Sequence, residues 1–227
     1  MYTYGYILEN ANLRVLLISL KLYLDFLTYP GLECVVALLY CFSCLHCSKD
    51  IQSLIQEIDK HSDDSFTPKI QINILKRKMK IDTFLDEIQA AFSVPTFLVI
   101  ASGFLSCSQM FGQSIIFYNW YKYDNPDLIA SAIHVIASSS SMIVILWTAG
   151  GITVALRLLK ESFYRKAHSR YISHRISEEL HIKRELLEKP DFVPSGCDIM
   201  SYSRSSIFVI AGALLTYSVL MAQTSEH

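Results

Sequence analysis

Three long stretches of this sequence carry no charge. No Asp, Glu, Lys or Arg falls between Glu87 and Lys122, between Asp127 and Arg157, or between Arg204 and Glu226. Each gap can hold the roughly 20 apolar residues that take a helix across about 30 Å of hydrocarbon. One such gap could be a buried core helix. Three in a chain of 227 residues leave too little polar surface to cover them in water. Other absences narrow the class further. The chain has no G-x-S-x-G, no P-loop, no H-E-x-x-H and no paired carboxylates inside an apolar stretch, so no enzyme is expected. A basic patch with interleaved aromatics is also missing, and the net charge is −1, which argues against nucleic acid as a partner. Residues 1–12 have neither a basic start nor a small-residue cleavage site, so no signal peptide is expected. There is no Asn-x-Ser/Thr acceptor for glycosylation.

What is present is apolar. Hydrophobic residues make up 52% of the chain against 18% charged, and the mean hydropathy is +0.31. The expected class is all-α, a polytopic transmembrane helix bundle with four clear spans. Residues 13–29 are apolar but hold Arg14, Lys21 and Asp25, and are either the end of a fifth span or an interfacial helix. Pro30-Gly31 reads as a break. Residues 32–47 form a span with Glu33 its one charge, entered near the proline, which suits a first helical turn. Residues 48–87 are a polar helical loop in which Ile51, Leu54, Ile55 and Ile58 recur at helical spacing. Such a stripe needs cover, first from the chain's own helix extensions and second from a neighbouring subunit. Spans follow at 88–118, with Pro95 near its start, and at 128–156. The link 119–127 between them is flanked and filled by Tyr118, Trp120, Tyr121 and Tyr123, as in an interfacial belt. A second charged helical loop, 157–204, precedes the last span, 205–223.

Lysines and arginines set the orientation. The 48–87 loop holds Lys49, Lys60, Lys69, Lys76, Arg77, Lys78 and Lys80, and the 157–204 loop holds ten more basic residues. The aromatic link has only Lys122, and nothing basic follows Arg204. Positive loops stay in the cytosol. Both long loops are therefore expected inside, with the aromatic link and the C-terminus outside. A G-protein-coupled receptor has the opposite arrangement at its C-terminus.

The last span contains Thr216-Tyr217-Ser218-Val219-Leu220-Met221-Ala222-Gln223. This resembles the signature of the arthropod gustatory receptor family, Thr-Tyr, five mostly hydrophobic residues, Gln and then Phe. Thr224 stands here where the family has Phe. The order of spans and loops before it is similar to the second half of that family's inverted seven-helix receptors. The resemblance implies that the chain corresponds to the fourth to seventh helices, a C-terminal portion of such a receptor. It also implies a multi-pass plasma membrane protein, a homo- or hetero-tetramer with related subunits, gated by a small-molecule tastant. In the family the last helix of each subunit lines a cation pore, and the ligand enters among earlier helices from outside.

Individual residues carry two readings each. Gln223 could ring a pore through its amide oxygen, or cap the helix at the interface. Helical spacing puts Thr216, Leu220 and Gln223 on one face, a mixed wall of the kind a gated pore needs. Tyr217 is either part of that wall or a packing contact. Ser138-Ser139-Ser140-Ser141 lies inside the third clear span, where small hydroxyl residues let helices approach. Packing is the first reading. The alternative is the wall of a ligand pocket formed by His134, Ser138 and Ser141, since an intramembrane His is a functional candidate. Trp147 is expected in the core. Cys41, Cys44 and Cys47 lie near His46 on one helix, which seldom supplies four zinc ligands. Burial is favoured for these cysteines, palmitoylation is second, and neither a metal nor a cofactor is expected. Lys76-Arg77-Lys78 could meet anionic membrane lipid. The competing classes are a small multispan transporter and a tetraspan scaffold. A repeat and mid-depth charges would mark the first, and a long outer loop with paired cysteines the second.

Overall fold

The computed structural model describes residues 11–62, 65–116, 125–174, 192–197 and 199–225. Helix α1 (Ala11–Phe26) runs through a π-helical turn (Leu27–Gly31) into α2 (Leu32–Lys60). Two longer helices follow, α3 (Pro68–Ile116) and α4 (Asn125–His174). A short hairpin, β1 (Ser195–Gly196) antiparallel to β2 (Met200–Ser201), leads to the last helix, α5 (Arg204–Ser225). The chain is a helical bundle, and among the described residues four helices, α2, α3, α4 and α5, are long and apolar enough to cross a membrane.

The expected break at Pro30-Gly31 is not found. The helix passes through it as a π turn containing Pro30. Proline has no amide hydrogen and its ring crowds the carbonyl one turn back. A π turn widens the helix locally and relieves both problems without ending it. α1 is a continuation of α2, and Leu13, Val15, Leu16, Leu20 and Tyr23 lie exposed along it. α3 likewise runs on through Pro95. Beside that proline, Thr96 Oγ1 donates to the Phe92 carbonyl at 2.6 Å.

At about 1.5 Å per residue, α3 and α4 are each roughly 75 Å long, well over twice the hydrocarbon thickness. The polar segments are thus largely helix. Their ends extend beyond the membrane and pack as a three-helix bundle of α2, α3 and α4. Its interior holds Ile51, Leu54, Ile58, Phe66, Ile74, Leu85, Leu159, Phe163 and Ala167, all nearly or fully buried. The stripe Ile51, Leu54 and Ile58 is therefore covered by the chain's own extensions, with Ile55 packed at the edge. The α2–α3 turn is closed chemically as well as by packing. Thr67 accepts from the amides of Ile70 and Gln71, with Pro68 at the first helical position where no amide is needed. Phe66 meets Phe163 edge-on at 5.5 Å between ring centres. Lys166 of α4 donates to the His61 carbonyl at 2.8 Å, a cation placed on the carbonyl end of α2.

Residues 157–204 are expected as a charged helical loop, and α4 continues as helix through the first part of that segment, as far as His174. After it, residues 192–203 fold back onto α3. Gln89 Nε2 donates to the Ser195 carbonyl at 2.6 Å, and the Ser195 amide returns a bond to Gln89 Oε1 at 3.1 Å. One turn on, the Cys197 amide donates to Ser93 Oγ at 2.8 Å. A turn further, the Tyr202 hydroxyl meets Thr96 Oγ1 at 3.0 Å. Gln89, Ser93 and Thr96 thus form one polar face of α3 that holds the hairpin. Tyr202 is 1% exposed, and burial pushes its phenol above the usual value, partly offset by the Thr96 bond. Gly196 is required at the turn: an added Cβ would lie 2.2 Å from the Tyr202 hydroxyl. The aromatic belt read at Tyr118, Trp120, Tyr121 and Tyr123 lies outside the described residues.

Candidate functional site: a polar knot and an uncovered helix face

Two features of the membrane half carry chemistry. The first is a knot of polar groups between α2, α3 and α4. Glu33 stands in the first turn of α2, just after the π turn. Ser102 of α3 donates to its Oε1 at 2.5 Å, and Ser138 of α4 donates to its Oε2. Cys34 Sγ lies 3.7 Å from Ser141 Oγ on the next turn of α4. Ser138 is completely buried and Ser141 nearly so. An isolated carboxylate in hydrocarbon is costly, and two hydroxyls aimed at its two oxygens reduce that cost. Gly103, next to Ser102, is what lets the helices close on the knot. A Cβ there would sit 3.0 Å from the Ser138 carbonyl and 3.2 Å from Met142 Cβ.

Of the expected pocket residues, Ser138 and Ser141 are brought together, on the α4 face turned toward Glu33 and Cys34. His134 sits one turn from Ser138 on the same stripe, half-buried, and takes no part in the knot's hydrogen bonds. Glu33 and Ser102 were not among the expected site residues. The signal for Glu33 was available: a lone carboxylate inside an otherwise uncharged apolar stretch is a functional candidate by default. Ser102 had no sequence signal, since only the packing of α3 on α2 brings it to Glu33.

The second feature is α5. Its inner side holds Ile210 and Leu214, with Ile207 packed against the core cluster. The opposite side is exposed among the described residues. Thr216, Leu220 and Gln223 are exposed there, near Gly212, which has nothing within 4 Å of an added Cβ. Thr216 satisfies its hydroxyl by donating back to the Gly212 carbonyl at 2.9 Å. Tyr217 points elsewhere. A Cβ on Gly112 of α3 would sit 3.9 Å from its hydroxyl, so it lies at the α3–α5 seam, 39% exposed. The side chain of Thr224 lies outside the described residues.

The cysteines and tryptophan complete the picture. Cys41, Cys44 and Cys47 are all buried, with Cys41 Sγ 3.4 Å from Thr148 Oγ1 of α4. Burial to 1% exposure closes the Cys44 and Cys47 thiols to acylation in the folded chain. His46 faces outward, 3.9 Å from Asp50 and edge-on to Phe84. Trp147 is not a core residue. It is 56% exposed, and the Arg204 guanidinium lies 4.5 Å from its ring centre. An amphipathic ring at the edge of the apolar zone is better placed under a cation than in the interior.

By architecture the chain is a membrane-embedded helical protein, in which α3 and α4 are longer than a bilayer's hydrocarbon thickness requires. A scan against protein-family models finds no match, and a search of curated proteins finds none.

Proposed function

We propose that this chain is a chemosensory receptor subunit of the gustatory type, forming a ligand-gated cation channel in the plasma membrane. The observation that carries the reading is the last helix. The Thr216–Gln223 signature lies on a helix whose polar residues Thr216 and Gln223 are exposed, across the helix from the buried Ile210 and Leu214. In a monomer such a face has lipid against it, where the Gln223 amide gains nothing. In a tetramer four copies would turn Gln223 toward a shared axis and supply ion-coordinating oxygens. The long helix extensions support the same reading, because they form a rigid cytosolic body on which subunits can associate. With the C-terminus outside, the Glu33–Ser102–Ser138 knot lies among the helices that a small-molecule tastant would approach.

Glycosylation mapping tests the orientation. The chain has no acceptor of its own, so sequon tags after His227 and in the 48–87 segment report cleanly. The expected result is modification of the C-terminal tag alone. Modification of the 48–87 tag alone would reverse the orientation and remove the channel reading. In a complete seven-helix subunit, Gln223→Ala is expected to change ion selectivity or conductance more than ligand potency. A change in potency alone would count against a pore-lining Gln223.

A second reading, a small transporter, is favoured by one observation, the intramembrane carboxylate of Glu33. Transporters use such groups to couple ion and substrate movement. Substrate uptake into vesicles that depends on Glu33, with no ion current, would select it.

A further inference from the structure

We propose that a groove between α2, α4 and the start of α5 binds one anionic glycerophospholipid from the leaflet on the side of the helix extensions. The groove holds about 280 Å³. Leu45, Val154 and Leu158 give it apolar walls, while Ser48, Gln52 and Thr148 place polar groups along its length. Arg204 is the only charged residue that lines it, among the described residues.

Four observations point to a lipid phosphate. First, Arg204 is held in place, stacked at 4.5 Å on Trp147. Second, among the described residues no carboxylate lies within ion-pair distance of it, so its charge is available to a ligand. Third, it opens α5, whose first turn is capped by reciprocal bonds between Ser203 and Ser206. The positive end of that helix dipole adds to the guanidinium. Fourth, the groove sits where the helices change from apolar outer faces to charged ones. Leu45 and Trp147 lie toward the membrane, and Ile55 and Leu158 toward the extension. That is the depth of a headgroup. A partner helix would need a continuous apolar seam, which Ser48, Gln52 and Thr148 interrupt. A lipid needs a cation above a short apolar wall, and this is what the groove offers. Gly150 and Gly151 make the site possible. A Cβ at Gly150 would lie 2.8 Å from Arg204 Cγ, so only glycine lets α5 start against α4. At Gly151 the space opens, with Arg204 Nη2 3.8 Å away.

The test uses the full chain purified in neutral detergent, an equimolar mixture of phosphatidylglycerol and phosphatidylcholine, and native mass spectrometry. The wild type is expected to retain one phosphatidylglycerol with about tenfold preference, the scale of a charge-assisted bond. Arg204→Gln should bring that preference close to one, and Arg204→Lys should keep most of it. Gly151→Leu, which fills the groove and leaves Arg204 in place, should reduce retention of both lipids. Helical content and melting temperature in phosphatidylcholine micelles show whether each variant is folded. Equal retention of both lipids by the wild type would overturn the proposal. So would full selectivity in a folded Arg204→Gln, or unchanged retention in Gly151→Leu. Displacement of the lipid by an equal concentration of soluble glycerol phosphate would assign the site to free phosphate, and also overturns it. None of these readouts needs a current, so their failure is separate from failure of the channel reading.

Discussion

The two ends of the same helices are built on opposite plans. In the extensions of α2, α3 and α4, the interior is apolar and closed, with Leu54, Ile58, Phe66 and Ile74 at or near zero exposure. Most charges sit outside, where Arg77 pairs with Glu57 and Arg165 lies 3.7 Å from Asp59, and the buried Lys78 is paired with Asp82 at 2.7 Å. In the membrane half the exterior is largely apolar, with Leu38, Phe42, Leu105, Ile136 and Phe208 66–79% exposed. A polar knot is inside, where Glu33 meets Ser102 and Ser138, and Cys34 meets Ser141, while Thr216 and Gln223 of α5 stay exposed. The difference follows from the solvent. In water, removing apolar surface stabilises the fold by about 25 cal/mol per Å². In lipid, leucine gains little by leaving the acyl chains. Close packing of small residues and hydrogen bonds between helices hold that half together instead. The same α2 side chain therefore has a different energetic role before and after Cys47.

The sharpest way to break this comparison is to make one substitution in each half. Leu54→Ala in the closed interior is expected to destabilise the extension by about 2–5 kcal/mol through lost transfer energy and a cavity. Leu38→Ala, at a site 69% exposed toward the hydrocarbon, is expected to cost under about 1 kcal/mol, since no cavity forms. Reversible unfolding in mixed micelles would measure both. Equal losses would mean that the two halves are stabilised alike.

A smaller effect sharpens the membrane side. Ser138→Ala is expected to cost about 0.6–1.7 kcal/mol, the range of interhelical hydrogen bonds in membranes. Its cycle with Glu33→Gln should show coupling of the same sign and order, because the two residues share one bond. Additive losses would show that Glu33 and Ser138 act independently. The smallest effect belongs to the extension surface. Arg77→Gln removes a solvent-exposed pair with Glu57 and should cost less than about 1 kcal/mol, with the difference vanishing in molar salt. A loss that persists at high salt would place this pair in the packed interior rather than on the surface.

Much of this was legible before any coordinates. Three uncharged stretches and one apolar stretch with a single charge, Glu33, identified four spans, and the spacing of Ile51, Leu54 and Ile58 marked the face that the other extensions cover. Ser138 and Ser141 were readable as polar groups on one helix face. Other features were hidden for identifiable reasons. Pro30 reads as a stop, because a missing amide usually ends a helix, and nothing local encodes the π turn that absorbs it. The hairpin at 195–201 has almost no strand pattern. It exists because Gln89, Ser93 and Thr96, about a hundred residues earlier, offer hydrogen bonds to its backbone. Trp147 reads as core by hydrophobicity, yet its position is set by the start of α5, which brings Arg204 over the ring.

The sequence alone determined the membrane class and the number of apolar spans, because hydropathy and charge spacing are one-dimensional quantities set by helix rise and bilayer thickness. It also determined which faces of the extensions are apolar, since helical period fixes that locally. Only the tertiary structure decided that Glu33 shares its oxygens with Ser102 and Ser138. Only it turned Tyr217 to the α3 seam and left Thr216 and Gln223 uncovered, and only it placed Arg204 on Trp147 beside a groove. These depend on which turn of one helix lies against which turn of another. That register is chosen by packing at a few small residues, Gly103 and Gly150 among them, and no local pattern in the chain records it.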